Sequence, residues 1–256
     1  MTTAPVLSVV IPAHNEEGCI DGTVRALATK LTGEAITHDI VVVNDHSKDK
    51  TEAILKSLAA EFPGVRYVNN DGMGGFGHAL RFGLDRYKGD VVAIYMADAS
   101  DTPEDLVRYY RELIARNVDC VFGTRFSPKS RVVDYPWFKL ILNRIFNKVV
   151  QLMFRLDYND VTNAFKLYGR NVIDGTRPHL SYHFNLTVEL PLKAIVRGYT
   201  FTVVPNDWIN RKTGESKLKI KEMGSRYLFI LFYCLIEKWL SRGDYRRRDV
   251  RVGAGS

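Results

Sequence analysis

The chain has 256 residues with 46% hydrophobic and 11% aromatic content, which suits one large α/β domain or two small ones and excludes a disordered chain. Its net charge is +7, and the stretch from Arg211 to Ser256 accounts for it, with 12 Lys/Arg against 5 Asp/Glu, while the preceding residues hold 24 of each. That stretch calls for an anionic partner: phosphate, lipid headgroup or nucleic acid.

In chain order, the N-terminal "MTTAPVLSVVIPAHNEE" lacks a basic segment followed by a long apolar core. It is not a secretory signal, and a reducing, cytoplasmic setting is expected. "LSVVI" is a short β-rich run ending at Pro12, and "NEEGCIDGTVRALATKL" then sets Ile20, Val24, Leu27 and Leu31 at helical spacing. "DIVVV" is a second strand ending in Asn44 and Asp45. A helix over "SKDKTEAILKSLAAEF" follows, with Ile54, Leu55 and Leu58 on one face. "VRYVNN" reads as a third strand, "GHALRFGLDRYKG" as a short helix and "DVVAIYM" as the fourth and most apolar strand. The helix from Thr102 to Ala115 opens on a capping-box pattern, with Thr102 as N-cap, Pro103 at N1 and Asp105 at N3. "VDCVFG" is a fifth strand.

The second half is less regular. Phe138 to Phe154 is an amphipathic helix pattern through Ile141, Leu142, Ile145, Phe146, Val149 and Leu152. "YTFTVVPNDW" reads as a strand and the basic "NRKTGESKLKIKEMGSR" as a loop. "YLFILFYCLIEKWL" has an uninterrupted apolar core of only ten residues, short of the roughly 20 that span a bilayer. It is either a helix docked on the domain or one lying in a membrane interface, and the basic "RGDYRRRDVR" after it favours membrane contact. Cys19, Cys120 and Cys234 are far apart in apolar contexts, with no metal-ligand spacing, and read as buried reduced thiols.

Apolar strands separated by helices indicate a mostly parallel sheet covered on both faces. Ligands in such sheets bind beyond the carboxyl ends of the strands. The polar clusters fall there: residues 12–17, 44–49, 98–101, and Thr124 with Arg125. In "AIYMADASDTPEDL" a buried strand runs into Asp98 and Asp101, two carboxylates that are costly to bury without a cation.

"VVIPAHNEE" resembles the opening strand of family 2 glycosyltransferases of the GT-A fold, and "VVVNDHSKDKT" is similar to their second strand end. "FGTRF", "DVTNAFKLY" and "NRKTGESKLKI" resemble the downstream blocks of the dolichol-phosphate mannose synthase branch, which makes polyprenyl-phosphate sugars. The resemblance runs from about Leu7 to Lys221. It implies a GT-A (Rossmann-like) α/β catalytic domain over residues 1–221, its mostly parallel central sheet flanked by helices on both faces. Residues 222–256 then form an amphipathic or interfacial helix with a basic tail.

The resemblance also implies roles. Pro12, His14, Asn15, Glu16 and Asp45 match positions that hold the nucleotide base and ribose, with Gly77 in a Gly-rich turn close by. Carboxylates suit base and ribose donors, though Glu16 is equally a first-turn acid favoured by the helix dipole. Asp98 aligns with the second Asp of the family's D-A-D metal motif; Met96 replaces the first, and a thioether is a poor ligand for hard Mg²⁺ or Mn²⁺. Ser100 stands where Gln is often found. Asp101 is either a second metal ligand or part of the helix cap. Arg125, Lys139, Asn143, Arg211 and Lys217 match positions near the transferred phosphates and the acceptor phosphate. Asp98, Arg125 and Arg211 make up the catalytic set. Lys139 stands where Arg is frequent and loses bidentate binding. Asp160 and Glu189 match acidic positions that either pair with these cations or lie near the sugar hydroxyls. A lone His183 is as readily structural.

The expected reaction is inverting transfer of a hexose from a GDP- or UDP-sugar to a polyprenyl phosphate, with Mg²⁺ or Mn²⁺, at the cytoplasmic face of a membrane reached through the C-terminal helix and basic tail. The alternative acceptor is a sugar or glycolipid hydroxyl, which needs a general base, for which Glu189 or Asp160 would serve. "GMGGFG" fits a nicotinamide-dinucleotide fingerprint on paper, but it follows the third strand and not the first. An acid-lined cleft leaves no place for nucleic acid. Nucleotide base, hexose and oligomeric state are not fixed by the sequence.

Overall fold

The computed structural model describes residues 4–210 and 220–247. The first half runs β1 (Leu7–Ala13), α1 (Ile20–Gly33), β2 (His38–Asn44), α2 (Thr51–Glu61), β3 (Val65–Asn69), α3 (Phe76–Leu84), β4 (Val91–Ile94), α4 (Pro103–Arg116) and β5 (Cys120–Thr124). The second runs β6 (Val132–Val133), α5 (Trp137–Phe154), β7 (Lys166–Gly169), α6 (Arg170–Gly175), α7 (Leu186–Val196), β8 (Phe201–Pro205), β9 (Trp208–Ile209) and α8 (Ile220–Leu240).

Seven strands form one sheet in the order β3-β2-β1-β4-β7-β5-β8. All neighbours are parallel except β7, which runs antiparallel between β4 and β5. β6 and β9 pair separately. Strand side chains alternate between two cores, as the period of two requires. Along β1, Val9 and Ile11 pack with Val24, Leu55 and Leu106 of α1, α2 and α4. Val10 faces the other way, with Leu80, Val150, Leu190 and Ile230 of α3, α5, α7 and α8.

Two elements depart from the pattern a sequence suggests: α5 in the direction of its apolar face, and α8 in its start, since it begins at Ile220, inside the stretch read as a loop through Arg226. The apolar stripe of α5 turns outward: Ile141 is 48%, Ile145 57% and Leu152 69% exposed, while Asn147, Val150 and Phe154 are buried. The inward face is fixed by polar bonds. The Asn147 side-chain carbonyl accepts the Val161 N–H at 2.6 Å, and its amide donates to Asn143 Oδ1 at 2.8 Å. Only Phe146 of the stripe turns partly inward, against Tyr227. α8 buries Ile230, Leu231 and Cys234 in the second core. Among the described residues no helix is long and apolar enough to cross a membrane. The three thiols are free, as expected, but Cys19 is half-buried where full burial is expected.

Candidate active site

The parallel register of β1 and β2 brings Ala13 beside Asn44, so the loops that follow leave the sheet together. They are laced by local bonds. The Asn15 N–H donates to Ser47 Oγ at 3.0 Å, Asn15 Oδ1 accepts the Lys48 N–H at 2.7 Å, and the Glu16 N–H donates to Thr51 Oγ1 at 2.9 Å. Asn15 takes a left-handed backbone, φ 52°, to make the turn. His14 Nδ1 lies 2.5 Å from the Asp45 carbonyl oxygen. Pro12, His14, Asn15, Glu16 and Asp45 thus gather at one end of β1 and β2.

Asp45 works inward. Its Oδ2 accepts the Gly75 N–H and its Oδ1 the Asn70 amide, each at 2.7 Å, which ties the end of β2 to the Gly-rich turn. Gly75 has φ 127°, a conformation closed to side chains. Gly77 faces protein: a Cβ there would stand 2.2 Å from the Tyr182 carbonyl carbon. Its missing side chain lets the loop before α7 close down on α3, rather than exposing backbone to a ligand.

After β4 the chain turns through Ala99, φ 57°. Asp98 is half-buried and its Oδ1 accepts the Ser100 N–H at 3.2 Å. Thr102 caps α4, its Oγ1 accepting the Asp105 N–H at 3.2 Å. The reciprocal half of the capping box is not made: the Asp105 carboxylate accepts the Asp207 N–H at 2.9 Å and pairs with Arg108. Asp101 is therefore not the cap. It is 4% exposed and its Oδ2 is buried without a hydrogen-bond partner. Burial, and then the charge of Asp98, push the Asp101 carboxyl up to about 8, while Arg125 pulls the other way. An orphaned carboxylate oxygen beside a second acid is what a divalent cation satisfies, so Asp98 and Asp101 fit Mg²⁺ or Mn²⁺. Among the described residues no group of three or more His, Cys, Asp or Glu gathers for a metal.

Arg125 and Asp160 form a buried pair. The Arg125 N–H and Nε both donate to Asp160 Oδ2 at 2.9 Å, and Nη2 donates to Oδ1 at 2.7 Å. Burial opposes the Arg125 charge, but Asp160 overrides it and holds the guanidinium protonated. Asn143 donates to Thr162 Oγ1 at 2.7 Å beside this pair. Lys166 donates to the carbonyls of Val161, Asn163 and Thr187, and its burial pushes it down to about 7. Glu189 is also spent. It accepts the N–H groups of Leu180 and Ser181 at 2.7 Å and pairs at 2.6 Å with Lys193, both side chains fully buried. Burial works against its ionisation, yet Lys193 and those donors hold it below the usual carboxylate range. The loop it anchors carries His183, whose ring stands 6.3 Å from that of His78. Lys139 is half-buried near the start of α5. Arg211 and Lys217 lie outside the described residues.

The partners a sequence does not reveal are Asn70, Thr162, Lys193 and Asp207. The bonds of Asn70 and Asp207 close between residues 25 and 102 positions apart, where no local pattern reports them.

The profile described as glycosyl transferase family 2 matches residues 8–176. The chain belongs to this family. A family 2 glycosyltransferase is an enzyme, and the Gly-rich turn is thereby not a nicotinamide site. Glycosyltransferase AglD of Haloferax volcanii is 28% identical over 229 residues, 87% of this chain but 36% of AglD, so the chain spans about a third of that relative. Polyprenol monophosphomannose synthase of Mycolicibacterium smegmatis is 28% identical over 248 residues, 93% of this chain and 88% of that one. The crystal structure of Mycobacterium tuberculosis glucosyl-3-phosphoglycerate synthase with Mn²⁺, UDP and glucosyl-3-phosphoglycerate superposes with TM-score 0.68 at 16% identity, covering 91% of this chain and 80% of the other. That likeness is one of fold: the GT-A arrangement expected of this glycosyltransferase is the one observed.

Proposed function

We propose that this glycosyltransferase moves a hexose from a GDP- or UDP-linked donor to the phosphate of a polyprenyl phosphate, with inversion at the anomeric carbon. The bond from that carbon to the donor diphosphate breaks and the nucleotide leaves with the electron pair. A lone pair of the acceptor phosphate forms the new C–O bond. No proton need move, because the acceptor is already anionic. The observation that carries the choice of acceptor is the state of the two candidate bases. Asp160 and Glu189 are both closed into buried ion pairs, so a hydroxyl acceptor would find neither free to take its proton. The name of one relative, a polyprenol monophosphomannose synthase, supports the same reading.

Asp98 and Asp101 are the residues that would hold the divalent cation, with further ligands from the donor diphosphate. Bound there, it would offset the charge gathering on the leaving nucleotide. Pro12, His14, Asn15 and Glu16 would form the nucleotide end of the cleft, with Asp45 and Gly77 shaping the turn beside it. Arg125, held by Asp160, would present positive charge to the phosphates, with Lys139, Asn143, Arg211 and Lys217 on the acceptor side. Residues 1–221 would act as the catalytic unit, and 222–256 would seat it on the cytoplasmic face of a membrane through α8 and the basic tail.

The deciding experiment is a transfer screen of GDP- and UDP-hexoses against polyprenyl phosphates and hydroxyl acceptors with Mn²⁺ or Mg²⁺. Product on lipid phosphate alone is expected. Turnover confined to hydroxyl acceptors would refute the reading.

A further inference from the structure

The Arg125–Asp160 pair stands on irregular backbone. Arg125 follows β5, and Asp160 opens a turn over residues 160–163 that leads into β7 and belongs to no strand or helix. Sheet bonds do not hold this turn, so its buried polar backbone needs other partners. Side chains supply them. Tyr158 Oη donates to the Asp160 carbonyl at 2.6 Å, Asn147 Oδ1 accepts the Val161 N–H at 2.6 Å, and Lys166 Nζ donates to the Val161 carbonyl at 2.9 Å. Thr162 is where the turn, the ion pair and α5 meet. Its Oγ1 accepts from Asn143 Nδ2 at 2.7 Å and from Asn147 Nδ2 at 3.2 Å. The same oxygen stands 3.4 Å from Arg125 Nη2 and 3.4 Å from Asp160 Oδ1. The two asparagines brace each other, with Asn147 Nδ2 reaching Asn143 Oδ1 at 2.8 Å.

We infer that Thr162 is a positioning residue for Arg125, and that Asn143 serves the phosphates by holding Thr162 rather than by touching them. The inference rests on the phosphate role proposed above for Arg125. A guanidinium carries five N–H donors in one rigid plane. Among the described residues, Nε and one N–H of Nη2 go to Asp160, and the other N–H of Nη2 faces Thr162. The two N–H groups of Nη1 are the pair left for a phosphate. Asp160 keeps the guanidinium charged and fixes its plane, because the contact is bidentate. It does not fix where that plane points, since the two side chains can swing together on their stems.

Thr162 removes that freedom. It touches both members of the pair and is itself tied to a helix by two amides. Asn143 is occupied at both ends of its side chain, donating to Thr162 and accepting from Asn147. That is the geometry of a support, and it places the aim of Nη1 under the control of α5. The stakes are set by the cost of misplacement: a shift of about 1 Å in a group that meets the reacting phosphates is worth about a hundredfold in rate.

Thr162→Val keeps the shape of the side chain and removes the hydroxyl, while Thr162→Ser keeps the hydroxyl. With the GDP- or UDP-hexose that turns over on polyprenyl phosphate, Thr162→Val should lower kcat about tenfold to a hundredfold and leave the donor KM within about twofold. Thr162→Ser should return kcat to within about threefold of the parent. Asn143→Ala should lower kcat in the same way. A raised KM for polyprenyl phosphate with kcat unchanged would instead make Asn143 a phosphate contact and overturn its part. In an Arg125→Lys background, which has no fork to aim, Thr162→Val should cost no more than about a further twofold. Equal losses in both backgrounds would reduce Thr162 to a structural part and overturn the inference. A second measurement needs no turnover: hydrogen exchange of the Arg125 Nε–H, followed by ¹⁵N NMR on the full chain. Thr162→Val and Asn143→Ala should each speed it about tenfold or more, with Thr162→Ser near the parent. Should Thr162→Val fail to fold, as read by its melting temperature, Asn143→Ala carries the same expectation. Unchanged exchange in the folded variants would overturn the inference. Because no substrate is present, faster exchange in a protein that transfers nothing to polyprenyl phosphate would refute only the proposed acceptor.

Discussion

Two pairs of acids in this enzyme share a chemistry and differ in what surrounds them. Asp160 and Glu189 are fully buried, each with a cation and additional donors on both oxygens. Asp98 and Asp101 stand close together at the end of β4, and one Asp101 oxygen has no partner at all. In the first arrangement each acid is spent on a cation, and each ion pair pins a loop that the sheet does not reach. The second leaves a buried oxygen open, and the cation proposed for this site would complete it. Burial alone does not mark a functional acid; burial without a counter-charge does.

The sharpest way to break this contrast is Asp98→Ala. Transfer should fall about a thousandfold, roughly 4 kcal/mol of transition-state stabilisation, with little change in melting temperature. Retained turnover would remove Asp98 from the metal site. Glu189→Gln should act in the opposite sense, lowering stability by about 3 kcal/mol because Lys193 is left charged and buried. Adding Lys193→Met should recover most of that loss, measured by urea unfolding. A Glu189→Gln protein that unfolds normally yet loses all transfer would return Glu189 to the chemistry.

Asp101→Asn separates the two pairs further. It should weaken Mn²⁺ binding about tenfold and cost little stability, since one carboxyl oxygen is unpartnered and the Asn side chain keeps an acceptor for the Met96 N–H. The pH dependence has a definite sign. With its carboxyl raised to about 8, Asp101 holds a proton at neutral pH, and that proton competes with the metal. Mn²⁺ affinity, read by calorimetry, should climb as pH rises toward 8 and level off above it. The Asp101→Asn protein should show no such slope in that range. The smallest effect is expected at the neighbouring cap. Thr102→Ala should cost about 1 kcal/mol and leave metal affinity unchanged; a drop in affinity would mean that cap and metal site are one unit.

Much of the first half was legible from the chain itself. The N-cap of α4, the strand ends and the gathering of polar residues beyond them follow from local rules of period, propensity and turn chemistry, and Thr102, Pro103 and Asp98 occupy the places those rules assign. The second half was legible only in part. The periodicity of α5 correctly marks a helix and an apolar face but cannot say which way the face points. Asn147, a polar residue opposite the stripe, decides that by bonding to a turn 14 residues away. β7 enters antiparallel between strands far from it in sequence. Glu189 gave no sign that its partner would be Lys193, although the two are four residues apart on a helix, because either could have faced solvent.

The sequence by itself determined the family, the sheet-and-helix order and the carboxylates at the end of β4, since each depends on residues near one another in the chain. The tertiary structure alone decided which acids are neutralised and which remain open, and which apolar faces are covered. Those outcomes depend on distant groups meeting at a common depth, where burial strengthens every paired charge and penalises every unpaired one.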